Sequence, residues 1–141
     1  MNIHTALTIA GTDPTGGAGI QADLKTMTAH GVYGMSVVTA LVAQNTMGVT
    51  DILEVPPKFL AAQLDAVFSD IPPDAVKIGL LCTAPVVAAI ASVLRNHKAK
   101  NIVLDPVIAS TSGCDLITSD TLFAMVDELL PLVDIVTPNL P

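Results

Sequence analysis

Short apolar runs rich in β-branched residues alternate along this chain with segments of helical period, and that alternation restricts the fold more than any other feature. It is the pattern of parallel strands joined by crossover helices. Thr5–Ala10 reads as the first strand, and Ile20–His30 follows as a helix with Ile20, Leu24 and Met27 on one face. Gly31 stands where a glycine relieves the left-handed turn after a helix. Met35–Val42 reads as a second strand, almost wholly apolar, as expected of a strand covered on both faces. Val49–Val55 is a shorter, more exposed strand. Pro57 then takes the first position of a helix expected to turn Phe59, Leu60, Leu64, Val67 and Phe68 inward.

"AVKIG" is the third main strand. Thr83 and Pro85 open the next helix, with Val86, Val87, Ile90, Val93 and Leu94 at core spacing. "NIVLD" is the fourth strand, "SDTLFAMVDELL" a helix capped by Ser119 or Thr118, and "VDIVTPN" the last strand. The predicted class is α/β, a mostly parallel sheet of about five main strands flanked by helices. No repeat, low-complexity tract or linker divides it, so residues 1–141 are assigned to a single domain. The sequence stops at "TPNLP", directly off a strand, where a doubly wound sheet continues into its next loop and helix. The expectation is that these residues are part of a larger design.

Composition removes several functional classes. A net charge of −7 and 3% aromatic residues leave neither the basic patch nor the stacking platform that nucleic-acid binding uses. No apolar run reaches the ~18 to 20 residues of a membrane span. The amino terminus has no basic leader before its short apolar stretch, so the expected compartment is the cytoplasm. Cys82 and Cys114 form no CxxC or Cys/His cluster and read as two reduced thiols, and His4, His30 and His97 lack the i, i+4 partner of a metal site.

In open parallel sheets the ligand sits outside the carboxyl ends of the strands. Those positions hold Gly11–Gly19, Gln44 and Asn45, Gly79 onward, Asp105 with Pro106, and Thr137–Asn139. The loop "GTDPTGGAGIQ" is no Walker A motif, because no lysine follows its last glycine and Lys25 lies inside the helix. Gly17-Ala18-Gly19-Ile20-Gln21-Ala22 matches a dinucleotide fingerprint, yet no acidic residue occurs between Asp23 and Asp51 to hold a ribose. The remaining reading is a small polar ligand against the loop, met by N–H groups at the helix start. Asp23, placed near the first helical turn, either accepts hydrogen bonds from that ligand or stabilises the helix start. Gln44 either reads a heterocycle edge or bridges loop backbone. Asp105 before Pro106 suits magnesium, a phosphate or acid–base work, or else an Asx turn; Asn139 is open in the same way.

Five segments in register carry a resemblance: "LTIAGTDPTGGAGIQADLKT", "TALVAQNTMGV", "KIGLL", "VLDPV" and "TPNLP". Together they closely resemble the amino-terminal half of the hydroxymethylpyrimidine/phosphomethylpyrimidine kinases of thiamine biosynthesis. That family implies a ribokinase-like fold and transfer of the γ-phosphate of ATP, with Mg²⁺, to 4-amino-5-hydroxymethyl-2-methylpyrimidine and then to its monophosphate. By the resemblance, Gly11, Asp23 and Gln44 hold the aminopyrimidine, and Ala18, Leu80 and Val107 line its pocket. Asp105 falls on the phosphate and metal side, and Asn139 on the first position of an N-x-x-E motif for Mg²⁺ and phosphate.

The glutamate of that motif and the family's G-T-G-C segment lie outside these 141 residues, and neither Cys82 nor Cys114 has a G-T-G-C context, so no catalytic residue is assigned. The implied role is the pyrimidine-binding half of a kinase, with low activity expected of these residues alone. The rivals are a pyridoxal or pyridoxine kinase of the same superfamily and a non-catalytic pyrimidine-binding module. An exposed sheet edge further suggests a homo-oligomer.

Overall fold

The structure is a computed structural model, and it describes residues 3–107 and 117–138. Five strands form a parallel sheet in the order β2-β1-β5-β6-β7. They are β1 (Thr5–Ala10), β2 (Tyr33–Val38), β5 (Ala75–Ile78), β6 (Ile102–Leu104) and β7 (Ile135–Val136). Between them run α1 (Gly19–Ala29), α2 (Pro57–Asp70), α3 (Ala84–Asn96) and α4 (Ser119–Ala124). A separate antiparallel pair, β3 (Ala40–Asn45) and β4 (Gly48–Glu54), is inserted between β2 and α2. Among the described residues no helix is long and apolar enough to cross a membrane.

Strand register divides the two faces of the sheet. Leu7 pairs with Val76 and Val76 with Ile102, while Ile9 pairs with Ile78 and Ile78 with Leu104, so these side chains share one face. All six are buried, and they form one core with Leu60, Leu64 and Phe68 of α2 and with α3. The intervening row, with Thr8 paired to Lys77, faces the other way. Helix α1 covers that second face over β1 and β2, where a Cβ on Gly34 would touch Leu24 and Met27. At β7, among the described residues, Ile135 and Val136 are exposed.

The expected second strand divides in two. Its apolar run continues to Val42, but the chain leaves the sheet at Thr39, whose N–H donates to the Ala10 carbonyl and whose carbonyl accepts from Val55. The Gln63 side chain satisfies both backbone groups of Val38 at 3.2 Å each, supplying at the sheet edge what a neighbouring strand would otherwise supply. Apolar residues after Val38 therefore serve a hairpin and not the sheet. Phe59 is 63% exposed and does not join the core; Leu60, Leu64 and Phe68 fill that face of α2. The cap of α4 is Thr118, whose hydroxyl accepts from the N–H of Thr121. The helix expected through "SDTLFAMVDELL" widens into a π turn at Met125–Leu129 and tightens into a 3₁₀ turn at Leu130–Leu132, where Pro131 has no N–H to continue it. Gly31 has φ +71°, the left-handed geometry expected of it.

Candidate functional site

From β1 the chain steps to β2 on one side, then crosses back to build β5 on the other side of β1. The strand order reverses there, and such a reversal opens a crevice at the carboxyl ends of the two strands. Backbone bonds carry the ladder one residue past the strands: Gly79 N–H donates to the Ile9 carbonyl and Asp105 N–H to the Ile78 carbonyl, each at 2.8 Å. The residues after β5 and β6 are thereby fixed at the rim. A cavity of about 760 Å³ occupies this place, a size ordinary for a small-molecule site.

The glycine loop between β1 and α1 is organised from within by Asp13, which is almost fully buried. Its carboxylate accepts from the N–H groups of Thr15 (2.9 Å), Gly17 (2.9 Å) and Ala18 (2.8 Å) and from the Thr15 hydroxyl. The Ile20 N–H donates to the Gly11 carbonyl, and the Asp13 N–H to Gln21 Oε1. The Gln44 side chain beside it, with Thr15 and the Ala18 N–H, holds the Asp13 carboxyl far below the ordinary carboxylate range, against a burial that would raise it. Several N–H groups expected to meet a ligand are thus occupied by a side chain of the loop itself. This arrangement also disfavours a nucleotide phosphate here, since an anion would have to displace a carboxylate already in its place.

The β3–β4 hairpin forms the opposite wall. Its base is tied down where Thr12 Oγ1 accepts from the Val42 N–H at 2.9 Å and Thr39 Oγ1 donates to the Leu80 carbonyl at 2.8 Å. The register shifts between Ala43 and Gln44, a bulge of the kind that re-aims a side chain at a sheet rim. Gln44 lines the cavity beyond that shift.

Asp23 belongs to the second turn of α1 and not the first, which contains no acidic residue. Its Oδ2 accepts from Thr8 Oγ1 at 2.6 Å and from Lys77 Nζ at 3.0 Å; among the described residues no bond falls on Oδ1. The helix-start alternative therefore loses its geometry: Asp23 is held by the sheet beneath it. Lys77 Nζ also lies 3.9 Å from Asp105 Oδ2, so one ammonium stands between a carboxylate of α1 and the carboxylate that follows β6.

Gly11, Ala18, Asp23, Gln44, Leu80, Asp105 and Val107 all line this one cavity. Asn139 and Cys114 lie outside the described residues. Among the described residues no three His, Cys, Asp or Glu side chains gather as a metal site. Cys82 is a free thiol whose pKa burial and the neighbouring Glu54 raise to about 11, so it is un-ionised at neutral pH and a poor nucleophile. Sequence reasoning passed over Asp13 and Lys77. Asp-Pro-Thr-Gly-Gly is turn chemistry in which a carboxylate satisfies local N–H groups, and a lone lysine inside the apolar strand "AVKIG" required a partner, so both signals were present.

A parallel sheet whose strand order reverses at β1, with an antiparallel hairpin closing one side of the crevice, defines the molecule as a ribokinase-like kinase fold; solved kinase structures superpose on it. The family model described as phosphomethylpyrimidine kinase matches residues 13–141. The chain belongs to that family. The hydroxymethylpyrimidine/phosphomethylpyrimidine kinase of Salmonella typhimurium is 54% identical over 141 residues, which are 100% of this chain and 53% of the relative. The crystal structure of phosphomethylpyrimidine kinase from Clostridium difficile 630 is 47% identical, with a TM-score of 0.92 over 98% of this chain and 60% of that one. A pyridoxal kinase from Staphylococcus aureus in complex with AMP-PCP and pyridoxal is 35% identical, with a TM-score of 0.84 over 99% of this chain and 49% of that one. The chain spans about half the length of the curated relatives it matches.

Proposed function

We propose that residues 1–141 are the amino-terminal, pyrimidine-binding part of a single ribokinase-like domain. That domain phosphorylates 4-amino-5-hydroxymethyl-2-methylpyrimidine and its monophosphate with ATP, toward thiamine diphosphate, in the cytoplasm. The observation that carries this reading is the convergence of the Asp23 carboxylate and the Gln44 amide on one cavity beside a loop whose own anion is internal. An aminopyrimidine presents ring acceptors and an exocyclic donor, which a carboxylate and an amide can pair with. With the bonds from Thr8 and Lys77 on Oδ2, the lone pairs of Asp23 Oδ1 are the natural acceptor for the ring's amino or hydroxymethyl group. Gly11, Ala18, Leu80 and Val107 supply the shape around it.

The complex of the Staphylococcus aureus kinase with AMP-PCP supports ATP as the donor. Asp105 is the residue among those described that would hold Mg²⁺. It offers a part-exposed carboxylate at the rim, and one such carboxylate suits a cation bound chiefly through phosphate oxygens. When bound, such an ion neutralises charge on the transferring phosphoryl group. The outer side of the hairpin exposes Leu41 and Leu53, which supports self-association into a homo-oligomer; light scattering is expected to show more than one copy per particle, and a monodisperse monomer would refute it.

Isothermal titration tests the ligand. The hydroxymethylpyrimidine is expected to bind, pyridoxal more weakly and NAD not at all. Asp23→Asn is expected to weaken the pyrimidine tenfold or more, about 1.4 kcal/mol. Binding of pyridoxal or NAD in preference to the pyrimidine would end this assignment.

A further inference from the structure

The cavity is lined by three aspartates, Asp13, Asp23 and Asp105, and, among the described residues, by one cationic side chain, Lys77. A neutral hydroxymethyl ring enters such a place without electrostatic cost. A phosphomonoester does not, since it brings between one and a half and two negative charges near neutral pH, on the order of −1.5 to −2. The Asp13 charge is absorbed by the N–H groups of its loop, which leaves Asp23 and Asp105 facing any incoming anion, with Lys77 between them.

We propose that Lys77 receives the phosphate of the phosphorylated substrate, and so allows one cavity to accept both a hydroxymethylpyrimidine and its monophosphate. This assignment rests on the pyrimidine kinase reading. An ammonium carries three N–H donors. One is committed to Asp23 at 3.0 Å, and Asp105 at 3.9 Å stands beyond hydrogen-bond length, so donors remain for phosphate oxygens. Residue 79, two along from Lys77 on the same side, is glycine and leaves room beside the ammonium at the rim. A Cβ there would lie 3.1 Å from Lys77 Nζ. The ammonium is neither sealed in the core nor loose in solvent, its side chain being 27% exposed. A compact ammonium suits a phosphate whose position changes between substrate and product, as it acts as a point charge and imposes no planar geometry.

Loss of a lysine that merely neutralised Asp23 would disfavour the monophosphate only through the bared Asp23 charge, so the same comparison repeated in an Asp23→Asn background, where that charge is gone, separates the two roles. Titration calorimetry on the chain, using 4-amino-5-hydroxymethyl-2-methylpyrimidine and its monophosphate at low and high salt, provides the test. Lys77→Met is expected to raise the Kd of the monophosphate at least tenfold more than that of the alcohol, in the Asp23→Asn background as well, and to abolish the weakening of monophosphate binding by added salt. Lys77→Arg, which keeps the charge, is expected to restore most of the difference and guards against loss of folding in the methionine variant. Equal factors for the two ligands in the Asp23→Asn background, or a weakening by salt that survives in Lys77→Met, would overturn the assignment while leaving the pyrimidine reading intact. A wild-type chain that binds neither ring would remove that reading, and this assignment with it.

Discussion

Replacing Asp13 with alanine is expected to destabilise the chain by about 3 kcal/mol, the largest loss for any single polar side chain of the site. The substitution removes a carboxylate that accepts from three backbone N–H groups and one hydroxyl, and it leaves those donors turned inward around an empty centre. The melting temperature should fall by about 10 °C for a chain of this size. Binding of the proposed pyrimidine should be lost with it, because Ala18 is placed by its bond to Asp13. The effect has a pH signature. Because the folded-state pKa of Asp13 lies below its unfolded value, the stabilisation from its ionised form is complete above that unfolded value, near 4, and fades as pH falls through the folded one. Denaturant melts of wild type and Asp13→Asn should accordingly differ most near neutrality and converge below about pH 4. A constant difference down to strong acid would show that the carboxylate's charge is not what matters.

Gly19→Ala is expected to cost about 3 kcal/mol as well, for a wholly different reason. Gly19 opens α1 with φ +57°, and a Cβ there would collide with the carbonyl oxygen of Gly11, a backbone atom that cannot swing aside. That oxygen already accepts from the Ile20 N–H at 3.0 Å, so displacing it breaks the bond that joins loop to helix. Gly16 is the internal comparison. It too has positive φ, at +75°, but its Cβ would meet only the end of the flexible Lys25 side chain. Gly16→Ala should therefore cost about 1 kcal/mol, the left-handed penalty alone. Chemical denaturation of both variants checks the ordering, and equal losses would mean that collision with Gly11 is relieved by movement of the loop.

The layering of the fold was legible because crossover helices and parallel strands have different periods, and β1, β5, β6 and the helices α1 to α3 fall within a few residues of where those periods place them. The departure of β3 from the sheet was not legible. Val37, Val38, Ala40, Leu41 and Val42 form an apolar run broken only by Thr39, a residue at home in strands, and nothing in it says that the chain turns away there; the decision is made by Gln63 and Ala10, distant in sequence. Phe59 misled for a related reason, since helical spacing places it beside the buried face of α2 while Leu60 fills the room available. At the cavity, Gly11, Ala18, Asp23, Gln44, Leu80, Asp105 and Val107 were selected from strand ends and from resemblance, and the fold brings them to one cavity. What sequence could not convey was which atoms were already engaged. The loop's N–H groups look available in one dimension and are bound to Asp13 in three, and the partnership of Asp23 with Lys77 spans 54 positions.

The hairpin wall also separates two demands that usually conflict in a small domain. Its tip residue Met47 borders the cavity yet is 88% exposed, and β3 and β4 bond to each other without joining the parallel ladder. Substitutions at that tip can alter which ligand fits while the layers beneath keep their packing. A lineage of such proteins can in this way change the small molecule its cavity admits with little risk to the integrity of the fold.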